Sequence, residues 1–259
     1  NASYVEMMRC WSLTGWNYEI FNDTAARYKF TNGTGELVDA IAQDGGFDVE
    51  LNTSVASVQQ SEAGVVVTTT NGDVVHAKRA VVTLPLNLLN SVSFDPPLSA
   101  AKQEASTLKH VGGGYKVFFE VEGDPGAVMT LSRSTDSPLI GSFTYKRGEQ
   151  HSVLAGFSLE PGALDKSVDE WQTVLEEFIP GVKLLSTFGH DWGDDALSQG
   201  SWCTYRPGTI AKFANALPQQ EGNLVFASGD HAQAWRGFIE GAIASGSSAA
   251  LGIAKSLQE

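Results

Sequence analysis

The closing stretch of the chain restricts the fold more than any other part. Residues 222–230 (GNLVFASGD) form a short apolar run entering a glycine turn. Residues 237–257 (GFIEGAIASGSSAALGIAKSL) follow and read as a helix dominated by Gly, Ala and Ser. Small residues let a helix pack tightly on a sheet. A short, wholly apolar strand is typical of one with neighbours on both sides. Strand, glycine turn and helix in this order close an α/β unit, and such units bind ligands beyond the carboxyl ends of their strands.

The rest of the chain supplies both strand and helix patterns. Residues 65–70 (VVVTTT) and 73–84 (DVVHAKRAVVTL) are β-branched runs joined by Asn71-Gly72, a strong hairpin signal. Residues 80–84 (AVVTL) are almost entirely apolar, as in a strand buried on both faces, and Pro85 stops them. Residues 48–60, 115–121 and 184–192 read as strands, with further strands near 127–131, 139–145 and 152–159. Residues 4–21 suggest a helix ending near Gly15. Residues 36–43 read as a helix capped by Thr34 and ended by Gly45-Gly46. Residues 99–110 read as another helix. In 167–180, Val168, Trp171, Val174, Leu175 and Phe178 recur at helical spacing. The expected class is therefore mixed α/β. No repeat is evident, and no G-x-G-x-x-G occurs in the 259 residues.

Composition narrows the function. The formal net charge of −13 repels nucleic acid and anionic membrane surfaces and favours cationic small molecules. No apolar run reaches the length of a membrane-spanning helix, and the histidines form no paired metal-ligand motif. Cys10 and Cys203 lie outside any C-x-x-C; a disulfide and two buried thiols both remain open. Four N-x-S/T sequons, at Asn1, Asn22, Asn32 and Asn52, suggest a secreted glycoprotein, with chance in a Ser/Thr-rich chain as the alternative. The start, NASYVEMMRC, is not a signal peptide.

Three motifs, in order, resemble the flavin-dependent amine oxidase family of monoamine and polyamine oxidases. The first is 224–250, where Gly229 and Asp230 are followed by Trp235, Gly237 and Phe238 and then by Gly241-Ala242. Asp230 stands where the family often has Glu. A helix N-terminus with flanking glycines suits the polar groups of a dinucleotide. The second is 192–208, carrying Trp192, Gly200 and Trp202. The monoamine oxidases place a flavin-bonding Cys just before the substrate-facing aromatic, and here that residue is Ser201. The resemblance therefore implies FAD held without a covalent bond. The third is GGGYKVFFEV, in which Lys116 takes the place of the family's strand Lys beside the flavin; the other reading is a surface-facing strand lysine. Upstream, residues 28–42, AVVTLPL and FDPPLS fit the family's order as well.

The resemblance implies a fold split between an FAD-binding domain (31–90 and 216–259) and a substrate domain (1–30 and 91–215). It places Val55, Pro85, Trp192, Gly229, Asp230, Gly237, Phe238 and Ala242 against the cofactor. It makes Lys116, Trp202 and Phe238 the catalytic surface, the two aromatics flanking a small-molecule amine as a cation-attracting cage. The implied reaction oxidises an amine C–N bond to an imine, with O2 reduced to H2O2; no acid–base dyad or nucleophile is required. Because the opening βαβ unit with its G-x-G-x-x-G is absent, the expected partner is an N-terminal chain of the same precursor, in a processed enzyme that dimerises as a two-chain unit. Rival readings are an L-amino-acid oxidase, with Arg206 or Arg236 holding a carboxylate, a ring-forming flavin oxidase, and a non-catalytic scaffold.

Overall fold

The computed structural model describes residues 3–134 and 136–258, which fall into two compact units, one of residues up to 111 with those from 203 on, the other of the described residues between them. Asn1 and the side chain of Asn22 lie outside the described residues, while Asn32 and Asn52 are exposed. The class is mixed α/β, as the sequence implies. Cα packing groups residues up to 30, 91–111 and 203–215 with 31–90 and 216–258. The reason is visible in the strand pairing and the core packing.

The first unit begins with helices α1 (Tyr4–Ser12), α2 (Tyr18–Ala26) and α3 (Gly35–Gly45). The helix expected to end near Gly15 is α1, and a second helix, α2, follows it, because Gly15 and Trp16 both take positive φ and turn the chain. Asn17 caps α2 by accepting the Ile20 N–H at 3.0 Å. Thr34 occupies the cap position of α3 without a side-chain bond, its own backbone being already helical (φ −73°, ψ −19°). Gly46, left-handed at φ 60°, ends α3.

Strands β1 (Val55–Ser61), β2 (Gly64–Thr69), β3 (Val74–Ala77) and β5 (Ser93–Asp95) form a sheet in the order β3-β2-β1-β5. The Asn71-Gly72 hairpin forms as expected, closed by Gly72 N–H to Thr69 O and Thr69 N–H to Asp73 O. Residues 48–54 are not strand: Asn52 at φ 56° breaks the extended run. The run 73–84 also breaks. After β3 the chain bends, and β4 (Ala80–Val82) leaves to pair in parallel with β11 (Leu224–Phe226). Arg79 reaches the Asn223 side chain and the Ala80 N–H donates to Asn223 O, fixing that register. Val81 is 41% exposed while Val82 is buried, contrary to the expectation of burial on both faces: only one face of β4 is covered among the described residues.

Pro85 leads from β4 into a 3-10 turn, Leu86–Ser91. Helix α4 (Ala100–Leu108), the short α6 (Thr209–Phe213) and α7 (Ile239–Ser256) complete the unit. Its core joins Val58 and Val65 of the first sheet to Leu86, Leu89, Phe213, Leu224 and Phe226. Lys102 of α4 is fully buried with all three donors used, on Ala216 O, Gln219 O and Glu221 Oε1 at 2.8–2.9 Å. This pins the loop before β11 to α4.

The second unit is an antiparallel sheet, β10-β6-β9-β8-β7, from β6 (Tyr115–Glu122), β7 (Met129–Leu131), β8 (Gly141–Lys146), β9 (His151–Ser158) and β10 (Leu184–Gly189). Helix α5 (Val168–Phe178) covers one face. A reciprocal capping box starts α5: Ser167 Oγ accepts the Glu170 N–H and Glu170 accepts the Ser167 N–H. Alternation along β6 sends Val117, Phe119 and Val121 into the core with Leu154, Trp171 and Leu175. Lys116, Phe118 and Glu120 face the other way.

Candidate functional site

In the first unit the candidate site is the turn between β11 and α7. Ser228 Oγ accepts the N–H groups of Asp230 and His231 at 3.2 and 3.3 Å, and Ser245 of α7 donates to Ser228 O at 3.1 Å. The chain is thereby bent just past Gly229. The Asp230 carboxylate accepts the Leu86 N–H at 2.9 Å, tying this turn to the segment opened by Pro85. Asp230 also bears on buried Cys203, whose thiol is pushed well up, mainly by burial. Cys203 and Cys10 are both free, which decides the disulfide question for the described residues.

Trp235 (φ 50°) and Gly237 (φ 80°) then reverse the chain. Gly237 donates to Gly229 O and Phe238 to Trp235 O, each at 3.0 Å. Phe238 is the extended cap residue of α7. Its ring meets Trp235 edge-on at 5.4 Å and Phe21 of α2 at 6.3 Å. Gly241 is required by the chain itself: a Cβ there would lie 2.3 Å from Trp235 O. A Cβ on Gly229 would meet only Phe238 O at 3.8 Å and the Ala242 methyl at 4.0 Å. A cavity of about 600 Å³ is lined by Thr24, Trp235 and residues 237–240, and one of about 560 Å³ opens on the other flank beside His231, Gly241 and Ser245. Val55 starts β1 in the four-stranded sheet and is 38% exposed.

These features fit one end of a flavin. The first turn of α7 leaves N–H groups without intrahelical partners, and the 600 Å³ cavity lies against it. His231 is buried and held neutral, its pKa lowered chiefly by burial; Nε2 meets Leu84 O at 3.2 Å. Arg236 is not free for a substrate carboxylate: it is 4% exposed and paired with Glu6 at 3.0 Å. Arg206 is exposed and donates to Leu108 O.

In the second unit the sheet face away from α5 is aromatic. Lys116 is exposed on it, and its Nζ lies 5.7 Å from the ring of Phe157, the residue across the ladder. Trp202 packs on the same ring at 5.8 Å and Phe143 at 6.1 Å. Phe118 stacks on Phe188 at 5.0 Å and meets Tyr145 edge-on at 5.4 Å. The structure thus gathers Lys116 and Trp202 around Phe157. Trp192 is half exposed, edge-on to His190 at 4.4 Å, and His190 pairs with Asp195 at 2.8 Å. The His190 bond holds the Asp195 carboxyl below its usual range.

The glycine run before β6 explains how Trp202 is seated. A Cβ on Gly114 would lie 2.5 Å from the Trp202 ring, and one on Gly112 only 1.6 Å from Trp202 O. Ser201 N–H donates to Gly112 O at 2.8 Å, closing the contact. Ser201 Oγ is buried without a partner among the described residues. Sequence reasoning missed Phe157, Phe143, Phe118 and Phe188. Each stands on a different strand of the sheet, so no single stretch of sequence shows them together.

Comparison with known proteins identifies the family. The family model for flavin containing amine oxidoreductases matches residues 9–254. Pseudooxynicotine dehydrogenase from Pseudomonas sp is 38% identical over 250 residues, covering 94% of this chain and 50% of that protein. Nicotine dehydrogenase from Pseudomonas putida (strain DSM 28022 / S16) is 28% identical over 242 residues, with coverages of 93% and 50%. Wild-type putrescine oxidase bound to putrescine superposes with a TM-score of 0.76 at 20% identity, over 86% of this chain and 53% of that one, and so shares the fold. The chain spans about half the length of the relatives it matches. Their motifs and this fold carry one conclusion: the chain belongs to the flavin containing amine oxidoreductase family.

Proposed function

We propose that this chain supplies the substrate-side and flavin-ring surfaces of an enzyme that oxidises an amine at its C–N bond to an imine. The observation that carries this is the meeting of Lys116, Phe157 and Trp202 on one exposed sheet face. A flat aromatic surface attracts an amine and packs an aromatic ring, and the net charge of −13 draws cations toward the protein. The substrate is an amine carrying an aromatic ring, a reading supported by the names of the two nicotine-related dehydrogenases. Bound FAD would accept the hydride and pass electrons to O2, giving H2O2. Ser201 at the position preceding Trp202 supports non-covalent FAD. The chain's own residues bind and orient: in the second unit Trp202 offers its ring face to an amine, and in the first unit Phe238 does so beside the N–H groups that the head of α7 offers to the cofactor.

The pyrophosphate loop lies outside these 259 residues, on a partner segment of the same precursor. Support comes from apolar surface left uncovered in the first unit, including Val38 (66% exposed), Val81 and Leu251 (73%). The commitment of Arg236 to Glu6 speaks against an amino-acid carboxylate held there.

The test is anaerobic titration of the flavin-loaded protein with nicotine, pseudooxynicotine, putrescine and an L-amino acid, followed by aeration with peroxide detection. Bleaching by the ring-bearing amines is expected. Bleaching by amino acids alone would defeat the proposal, as would a protein that takes up no flavin. The dehydrogenase names favour a second reading in which the acceptor is not oxygen; rapid bleaching without peroxide on aeration would establish it. Trp202→Ala should cut amine turnover far more than flavin content, and equal loss of both would make Trp202 structural.

A further inference from the structure

We infer that Glu6, through Arg236 and Arg9, positions the turn that carries Phe238. Glu6 and Arg236 stand 230 residues apart in sequence and are 6% and 4% exposed. Arg236 is engaged from side chain to backbone. Its Nη1 donates to Glu6 Oε1 at 3.0 Å and its Nε to Ala232 O at 3.3 Å. Its guanidinium lies 4.5 Å over the Tyr205 ring, and its carbonyl accepts Arg9 Nη2 at 3.2 Å. Arg9 Nε returns to Glu6 Oε2 at 2.9 Å. One carboxylate thus serves two guanidinium groups and joins α1 to both the side chain and the backbone of residue 236.

The turn needs such an anchor. Arg236 sits between two residues of positive φ, and one of them, Trp235, is not glycine. A side-chain-bearing residue keeps that conformation only where its surroundings over-determine it. A buried ion pair does this well, since any other arrangement leaves a charge without a partner. Phe238 follows directly, its N–H bonded to Trp235 O and its ring perpendicular to Trp235. Rotation of the turn would therefore carry the Phe238 ring with it. Glu6 is a positioning residue, and the inference rests on the reading of Phe238 as a substrate-side aromatic.

The experiment uses the complete flavin-loaded protein and the variants Glu6→Gln, Arg236→Met and Arg236→Lys. Hydrogen exchange is read at the amides of Gly237 and Phe238, with the β6 amides as internal reference. Glu6→Gln and Arg236→Met should speed exchange at 237 and 238 by about tenfold while β6 is unchanged. KM for the amine should rise by about tenfold with flavin content and absorbance maxima retained. Arg236→Lys, which keeps the charge but loses the planar stack, should fall between wild type and Arg236→Met. Unchanged exchange at 237 and 238 overturns the inference. So does equal acceleration in β6, which would mean general destabilisation, and so does faster local exchange with an unaltered KM. Wild-type flavin that no amine reduces refutes the proposed reaction, and the exchange arm still decides whether Glu6 sets the turn.

Discussion

Replacing Gly112 by Ala tests whether the glycine run before β6 exists to seat Trp202. The added Cβ would lie 1.6 Å from Trp202 O, 2.6 Å from its carbonyl carbon and 3.0 Å from its N. Ordinary contact begins near 3.4 Å, so the two backbones must part by about 1.8 Å, the difference between 3.4 and 1.6. All three atoms are main chain, so no rotamer change relieves the clash. The bond from Ser201 N–H to Gly112 O, 2.8 Å long, is on the same contact and would break. Overpacking costs about 1–3 kcal/mol and a lost hydrogen bond about 1 kcal/mol, so the loss is about 2–4 kcal/mol. In a protein of this size that lowers Tm by roughly 5–15 °C. Trp202 would also leave its 5.8 Å contact with Phe157, raising KM for the amine. The assay is thermal unfolding followed by tryptophan fluorescence, with steady-state kinetics alongside. Gly246→Ala is the control: it lies within α7, its Cβ meets nothing within 4 Å, and it should be neutral or stabilising by up to about 1 kcal/mol. A Gly112→Ala protein with the Tm and KM of wild type would refute the reasoning.

Ser167→Ala removes both side-chain bonds that Ser167 makes in the α5 capping box and should cost about 1 kcal/mol in urea unfolding, with kinetics unaltered. Lys102→Met leaves Glu221 and two carbonyls without their donor; denaturant unfolding should show a loss of about 3 kcal/mol, and a gain would show that apolar packing there outweighs the ion pair. His110 and His231 both have pKa values lowered from 6.5, chiefly by burial. Above pH 6.5 neither changes stability; below it the unfolded chain takes up protons that the native protein refuses. Stability should therefore fall as pH drops below about 6.5, by up to about 1.4 kcal/mol per pH unit for each histidine until its native pKa is reached. Unfolding midpoints at about pH 7.5 and about pH 5.5 measure this, and His231→Gln should reduce the slope.

Elements whose cause is local were legible in the residues alone. Asn71-Gly72 makes a hairpin because its residues tolerate the turn, and Ser167 with Glu170 starts α5 because their side chains reach the nearest N–H groups. Alternation along β6 separated Val117, Phe119 and Val121 from Lys116, and the order of the motifs was enough to reveal the family. The departure of β4 from β3 to β11 was not legible, since adjacent apolar runs say nothing about which sheet each joins. Nor was the hold of Asp230 on Leu86 across 144 residues, the commitment of Arg236 to Glu6 across 230, or the room Gly112 makes for Trp202. Steric preference and hydrophobic period act over a few residues and are written in the local sequence. Pairing between distant groups depends on which surfaces pack together, and that is settled only when the whole chain has folded.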